Sequence, residues 1–315
     1  DDSVDIPKVI SATRLQQSIL DTPASITVIS RAMIRALGAR ELPDILRLVP
    51  GMVVGRESGS EAFVGYHGTS ADGARRMQVL VDGRSIYEAA LARVDWIGLP
   101  LDVEDIERIE VVRGPNSATY GANSFFGVVN IITRSAQDVP NAEVLVRGGD
   151  DRIADGFARL SLRGLGGDWA WSAFHREDSG FDIDARKKTP FNDDKTVDGI
   201  YGKGQYATAN DGQLTLLTGF SRMVAVQARR NDTSIYREQP VATLDTGYAA
   251  VQLDQPLSST HRLQIKASVN SLQRDEPWYV RIPYLVVSPE LGALFDQDKA
   301  QANAFVDDPM ASCTG

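Results

Sequence analysis

The spacing of apolar residues changes period near Pro140. Beyond that point the period is two. In HRLQIKASVN (261–270), Leu263, Ile265, Ala267 and Val269 fall on one face of a strand, and Arg262, Gln264, Lys266, Ser268 and Asn270 on the other. AEVLVRG (142–148) sets Ala142, Val144 and Val146 against Glu143 and Arg147. FARLSLRG (157–164) and GQLTLLTGF (212–220) alternate in the same way. DWAWSAFHRE (168–177), DGIYGKGQYAT (198–208) and TGYAAVQLD (246–254) complete a set of about seven predicted strands. Short turns (GLGGD, ANDG, PLSST) alternate with long polar loops at roughly 178–197, 223–243 and everything after 273. Strands of about ten residues with one apolar face, tight turns at one end and long loops at the other are the pattern of an outer-membrane barrel. Trp169 and Trp171, beside a short turn, suit an interfacial aromatic girdle. Alternation alone also fits a soluble sheet with one wet face.

Before Pro140 the periods are mixed. SITVIS (25–30) predicts a strand, and RAMIRALGA (31–39) a helix with Met33, Ile34 and Leu37 on one side and Gly38 as its stop. ELPDILRLVPG (41–51) predicts a second helical face of Leu42, Ile45, Leu46 and Val49, ended by Pro50-Gly51. MQVLVDGR (77–84) is a strand closed by an Asp82-Gly83 turn; IERIEVVRG (106–114) and GVVNIIT (127–133) are further strands.

Composition narrows the choices. The 315 residues carry 43% hydrophobic and 24% charged side chains and a net charge of −9, a folded composition without the basic face a nucleic-acid binder needs. The one cysteine, Cys313, excludes a disulfide framework within the chain. No run reaches the ~18–20 apolar residues of a transmembrane helix, and no basic-then-apolar leader opens the chain. Neither fact bears on a barrel, which crosses lipid with short alternating strands. An odd number of strands ending in a loop leaves open edges, which lipid does not tolerate; as a membrane barrel this chain is expected to be incomplete.

Searches for chemistry return little. His67, His175 and His261 have no ligand spacing, and neither a Walker loop nor a nucleophile elbow is present, so no metal, cofactor or enzyme activity is expected. GKGQYA (202–207) echoes a dinucleotide fingerprint but lies in an alternating strand. In RGPNSATYGANSFFG (113–127), the short segment between Pro115 and Gly121 leaves no room for a phosphate-binding helix, and no lysine stands in the loop. Its glycines are expected to serve turns and close packing, with Pro115 opening a short helix.

Four ordered blocks carry a resemblance: TPASITVIS (22–30), LPDILRLVPGMVV (42–54), QVLVDGRSIY (78–87) and DIERIEVVRGPNSATYGANSFFGVVNIIT (105–133). Together they resemble the plug domain of TonB-dependent outer-membrane receptors. The most specific is the last, with Arg113, Gly114, Pro115, Tyr120, Gly121 and Asn130 as the motif residues. The resemblance implies an α+β plug domain followed by antiparallel transmembrane β-barrel strands. It divides the chain into a leader at 1–18, a plug at 19–137 and the N-terminal part of the barrel at 138–315. It further implies a protein of the Gram-negative cell outer membrane, its plug in the barrel lumen. Such a protein imports a scarce ligand, a ferric siderophore first and cobalamin, haem, a saccharide or another metal chelate as alternatives. TonB, with ExbB and ExbD, supplies the energy. A soluble β-sheet binding or adhesion protein is the alternative from a different class.

For the TonB box, IPKVISA (6–12) offers Val9, Ile10, Ser11 and Ala12, while Pro7 and Lys8 depart from the family pattern. His67 stands where many members have arginine. Arg113 keeps the family residue, and a charged hydrogen bond to the barrel wall is its expected task. The loops at 55–62 and 84–96 supply Arg56, Tyr87, Arg93 and Trp96 as candidate ligand contacts, through a cation or an aromatic face.

Overall fold

A computed structural model of the chain describes residues 8–9, 17–18, 24–66, 76–88, 91, 93–121, 123–164, 166–181, 183, 193–226, 241–258, 260–276, 290, 293 and 297. His67, Ile10, Ser11, Ala12 and Cys313 lie outside them. Two short strands come first, β1 (Lys8–Val9) paired antiparallel with β2 (Gln17–Ser18).

The next part mixes helices and strands. β3 (Ser25–Ser30) runs into α1 (Arg31–Leu37), where the Ser30 hydroxyl accepts from Met33 N and Gly38 closes the helix at φ 66°. Only Ile34 of the expected α1 face is buried; Met33 and Leu37 are exposed, because a helix of two turns resting on one sheet edge covers a single row. α2 (Leu42–Leu46) buries Leu42, Ile45 and Leu46, with Val49 beside them, as the spacing predicts. β4 (Met52–Arg56) and β5 (Ala62–Tyr66) form a separate hairpin. β6 (Met77–Val81), β7 (Arg84–Ser85), β8 (Ile106–Arg113) and β9 (Gly127–Thr133) join β3 in a five-stranded sheet of order β3-β8-β9-β6-β7, antiparallel apart from the β6–β9 pair. Its strands are apolar on both faces, and one core holds Ile29, Ile45, Leu46, Val79, Ile109 and Ile131.

α3 (Ser117–Tyr120) lies between β8 and β9. Gly114 and Gly121 take φ of 96° and 86°, and a Cβ at Gly127 would stand 2.7 Å from the Val112 carbonyl oxygen. Turn and close approach therefore account for all three glycines. Pro115 stands before α3 and does not open it. It sits between two amides that donate across to the returning strand (Gly114 to Phe126 O, Asn116 to Ser124 O), where its missing N–H costs nothing.

The rest is a seven-stranded antiparallel meander: β10 (Ala142–Gly148), β11 (Ala154–Gly164), β12 (Gly167–Asp178), β13 (Lys195–Thr208), β14 (Gly212–Val226), β15 (Val241–Pro256) and β16 (Arg262–Asp275). Among the described residues the sheet does not close, since β10 and β16 do not pair. Strands exceed their expected ends on the long-loop side, so the first two long connections shorten to 179–194 and 227–240. There the inward positions become apolar too, with Val197, Met223, Ala225 and Leu244 buried together, and the alternation that marks a strand in sequence fades although the ladder continues.

The faces of this sheet are assigned by register. One face points outward: Val144, Val146, Leu160, Leu162, Ile200, Phe220, Val251 and Val269 are all well exposed. The other face buries polar groups, among them Arg159, Ser161, Ser172, Arg176, Lys195, Lys203, Gln205 and Ser221, beneath the N-terminal part. On the outer face Trp169 and Trp171 stack at 6.1 Å, and Tyr206 meets Trp169 edge-on, near the short turns. Towards the long loops the outward residues become His175, Asp198, Arg222 and Asp245, neighbours in successive strands. An apolar band with an aromatic edge and a polar edge is what lipid requires of a barrel wall. Among the described residues no helix is long and apolar enough to cross a membrane.

Candidate functional site

The interface between the two parts is built from charge. After β7 the chain turns through a 3-10 segment, Val103–Asp105, capped reciprocally by Asp102 and Asp105. Two successive residues, Glu104 and Asp105, thereby face the sheet. Asp105 receives Arg159 at 2.6 Å and the Ser172 hydroxyl at 2.9 Å. Glu104 takes Arg31 at 2.9 Å and Arg147 at 2.6 Å, and Arg159 also reaches Glu143 at 2.6 Å. Arg176 donates to the Ile97 carbonyl. Burial pushes the Asp102 carboxyl up to about 6, with the Arg176 charge and the Glu104 amide acting in the opposite direction. Burial likewise raises Asp105, and Arg159 offsets part of that.

A second cluster lies nearer the long loops. Arg40 grips Asp155 through two nitrogens, at 2.7 and 2.6 Å, and reaches Asp178 at 3.2 Å. Burial opposes its charge, but the bond to Asp155 and the nearby carboxylates hold the guanidinium above its ordinary value. Lys195 joins Asp178 at 2.7 Å and Glu41 at 3.3 Å, and Arg56 pairs with Glu41 and Asp44. Burial works against the Glu41 charge, yet Lys195, Arg56 and Arg176 keep its carboxyl below the usual range. Asp193, in the 179–194 connection, accepts from Gly59 N at the tip of the β4–β5 hairpin and from Phe181 N. At the opposite end, the Asp82-Gly83 turn is fixed by Thr133 and lies beside Lys203, and the Gln252 amide donates to Asp82 O.

Residues 18–128 match the family described as the TonB-dependent Receptor Plug Domain. The chain carries a TonB-dependent receptor plug followed by strands of its barrel. Among curated proteins it is similar to the vitamin B12 transporter BtuB of Photobacterium profundum, 34% identical over 197 residues, 62% of this chain and 31% of that protein. It is also similar to an iron-regulated outer membrane virulence protein of Vibrio cholerae, 37% identical over 134 residues, 41% of this chain and 20% of that protein. The chain thus spans less than a third of these relatives. Solved structures of the same fold include the ferric-catecholate import receptor Fiu of E. coli K12, with TM-score 0.66, 14% identity, and coverage of 85% of this chain and 41% of that one. The pyoverdine receptor FpvA of Pseudomonas aeruginosa gives TM-score 0.65, 18% identity, and 86% and 41% coverage.

With plug and wall named, the sequence-predicted residues can be placed. Arg56 is committed to Glu41 and Asp44 at the foot of the β4–β5 hairpin. Trp96 is 3% exposed and packs in the plug core. Tyr87 rests half-buried against the same core. Arg93 stands 3.8 Å from both Glu61 and Glu88, and the Glu88–Arg93 bridge closes a small hairpin. These four are not brought together around one cavity. Arg113 has its Nε buried without a hydrogen-bond partner among the described residues. Contacts between plug and wall are made by Arg40 of the plug and by Arg147, Arg159 and Arg176 of the wall, none of which a sequence motif marks; for the three wall residues the only signal is an arginine on the polar face of a strand. Tyr120 and Asn130 line a polar cavity of about 600 Å³ between plug and wall with Asp82, Lys203 and Lys266. A second cavity, about 230 Å³, lies between the plug segment 84–100 and strands β15 and β16. Val9 lies in β1, the one described residue of the expected TonB box. Among the described residues no group of three or more His, Cys, Asp and Glu could hold a metal ion.

Proposed function

We propose that this chain is the plug and part of the barrel of a receptor in the Gram-negative outer membrane that imports a scarce chelate with energy delivered by TonB, ExbB and ExbD. The observation that carries the reading is the plug–wall interface. A sheet apolar on its outer face and polar where it meets the plug has the inside-out chemistry of a lipid-embedded wall around a hydrated lumen. On this reading residues 1–18 are the leader, 19–137 the plug and 138–315 barrel strands, and Val9, Ile10, Ser11 and Ala12 form the strand that TonB extends.

Two cargoes are in play. Ferric siderophores fit the fold neighbours, whose names include ferric-catecholate and pyoverdine receptors. Cobalamin is supported equally by the 34% identity to a vitamin B12 transporter over 197 residues, which stands beside 37% over 134 residues to an iron-regulated outer membrane protein. The test is uptake of labelled cyanocobalamin and of iron-loaded siderophores by cells carrying the full-length gene, with and without TonB. Uptake that persists undiminished without TonB overturns the proposal.

A further inference from the structure

The two cavities follow one another along the same two wall strands. The lower, about 600 Å³ and towards the short turns, is lined by Gln252 of β15 and by Gln264 and Lys266 of β16. The upper, about 230 Å³ and towards the long loops, is lined by Thr246 of β15 and by Asn270 and Leu272 of β16. Register places Tyr248, Ala250 and Ser268 between them on the inward face, since Tyr248 pairs with Asn270, Ala250 with Ser268 and Gln252 with Lys266. The plug supplies the partition. Asp82 and Gly83 line the lower cavity, and Arg84 and Ser85 line the upper. Arg84 lies over the Tyr248 ring at 3.6 Å and donates to the Asn270 side-chain oxygen at 2.6 Å. The Gln252 amide donates to Asp82 O at 2.7 Å.

This partition is lightly built. β7 is two residues long, stands at the edge of the plug sheet and pairs with β6 at Leu80–Ser85 and Val81–Arg84. An edge strand this short opens at far lower cost than the interior of a sheet. Asp82 is tied to Thr133, and Gly83 next to it takes φ of 80°, so the segment has a fixed point with a hinge beside it. On β11 and β12 the plug is held far more firmly, by the nearly sealed Asp105–Arg159 pair and by the grip of Arg40 on Asp155 and Asp178. The lower cavity presents the neutral amides of Gln205, Gln213, Gln252 and Gln264. Many weak, exchangeable contacts let a solute enter and leave again. We propose that residues 83–85 are a gate and Arg84 its latch: their swing away from Tyr248 and Asn270 joins the two cavities into one passage along β15 and β16, while the rest of the plug stays bound to β11 and β12. The proposal rests on the import reading and assigns its moving part.

The experiment uses the full-length receptor and has two arms. In the first, Ser85→Cys and Leu272→Cys are placed on the lining of the upper cavity in a background without other cysteines, and a short, reductively cleavable bis-maleimide pins β7 to β16. The probes are labelled cyanocobalamin and a synthetic ferric tris-catecholate. The pinned receptor should bind the wild type's probe as before and lose its TonB-dependent uptake, which reductant restores. Uptake that continues in the pinned receptor overturns the gate. The second arm needs neither cargo nor TonB and reads ion conductance in planar bilayers. Arg84→Ala should raise the open time about tenfold or more, the worth of a hydrogen bond from a charged group, with the plug still protease-resistant. Arg84→Lys, which keeps a cation for the ring, should fall in between. Conductance equal to wild type overturns the gate. So does conductance that comes only with loss of protease resistance, since Arg84 would then support the whole plug. Wild-type uptake that does not depend on TonB removes the import reading alone, and the conductance arm then still decides the gate.

Discussion

The plug sheet and the barrel sheet obey opposite rules. In the plug, β8 and β9 bury Val111, Val112, Val128, Val129 and Ile131, and both faces of the sheet pack apolar residues. In the wall, the aliphatic residues Val144, Leu160 and Leu162 point away from the protein, while Arg159 and Ser172 are nearly sealed off. The lesson is that burial and hydrophobicity are separate quantities: a residue's polarity reports which medium it faces, and only the solvent outside decides whether an exposed leucine is a fault. The same contrast makes the two sheets respond differently to identical substitutions.

The largest effect is expected where the two regions meet. Arg159 and Asp105 are 2% and 3% exposed and 2.6 Å apart. Arg159→Ala leaves a sealed carboxylate without its cation, and about 3–5 kcal/mol should be lost from plug docking. Denaturant-induced plug release from the full-length receptor, followed by protease sensitivity of the plug, measures it. The paired change Arg159→Met with Asp105→Asn should recover most of that loss, since no charge is then stranded. Failure of the pair to recover would mean the interface depends on Arg159 for its other bonds, to Glu143 and the Glu104 carbonyl.

Next in size is the outer face. Leu160 is paired with Trp171, which is paired with Gly202, a row midway between those of Asp198 and Tyr206. Leu160→Arg should cost about 2–4 kcal/mol for folding into lipid vesicles, the penalty for a charge near the bilayer midplane. On a soluble sheet the same change at a residue 62% exposed would be nearly neutral. The measurement therefore also decides against the soluble binding or adhesion reading, or for it.

The third effect depends on pH. Asp102 has its carboxyl raised from 3.8 to about 6 in the fold. The folded plug thus holds a proton more tightly than the unfolded chain, so stability falls as pH rises from about 4 to 6 and stays lower above that. Asp102→Asn keeps an oxygen for the Glu104 amide and removes the buried charge. It should raise plug stability at pH 7 by about 1–3 kcal/mol and flatten the pH profile between 4 and 6. Thermal unfolding of the plug across that range tests it; an unchanged profile would put the titration elsewhere.

Much of this contrast was legible in the chain. Period-two alternation located all seven wall strands because each residue faces either lipid or lumen. The four family blocks marked the plug because its turns need particular residues. What stayed hidden has a physical cause. Arg159 and Asp105 are 54 positions apart, and no local pattern ties them. Trp96 reads as an aromatic in a loop, and its burial is decided by Leu99, Leu101 and the rest of the core folding over it. The strand ends at Lys195 and Val226 lie where inward Val197, Met223, Ala225 and Leu244 form a buried apolar cluster behind outward Val224, so both faces carry apolar residues and periodicity carries no signal.

The smallest effect concerns one such turn. Asp82 and Gly83 take φ of 48° and 80°, the two left-handed positions of a tight hairpin turn. Asp82 tolerates this because its carboxylate is held by Thr133 N at 3.0 Å and by the Thr133 hydroxyl. Gly83 has no such compensation, and a Cβ there would also come within 2.7 Å of Lys266 Nζ. The lysine end is flexible and can yield, so the backbone term dominates, about 1–2 kcal/mol for Gly83→Ala. Because the turn stands between plug and wall, where Gln252 donates to Asp82 O, the loss should appear in plug docking and leave the lipid-facing wall untouched. Plug release at lower denaturant with unchanged heat-modifiable migration of the barrel is the expected pair of results. A shift in both would mean that the two sheets are coupled through this turn more tightly than their opposite chemistries imply.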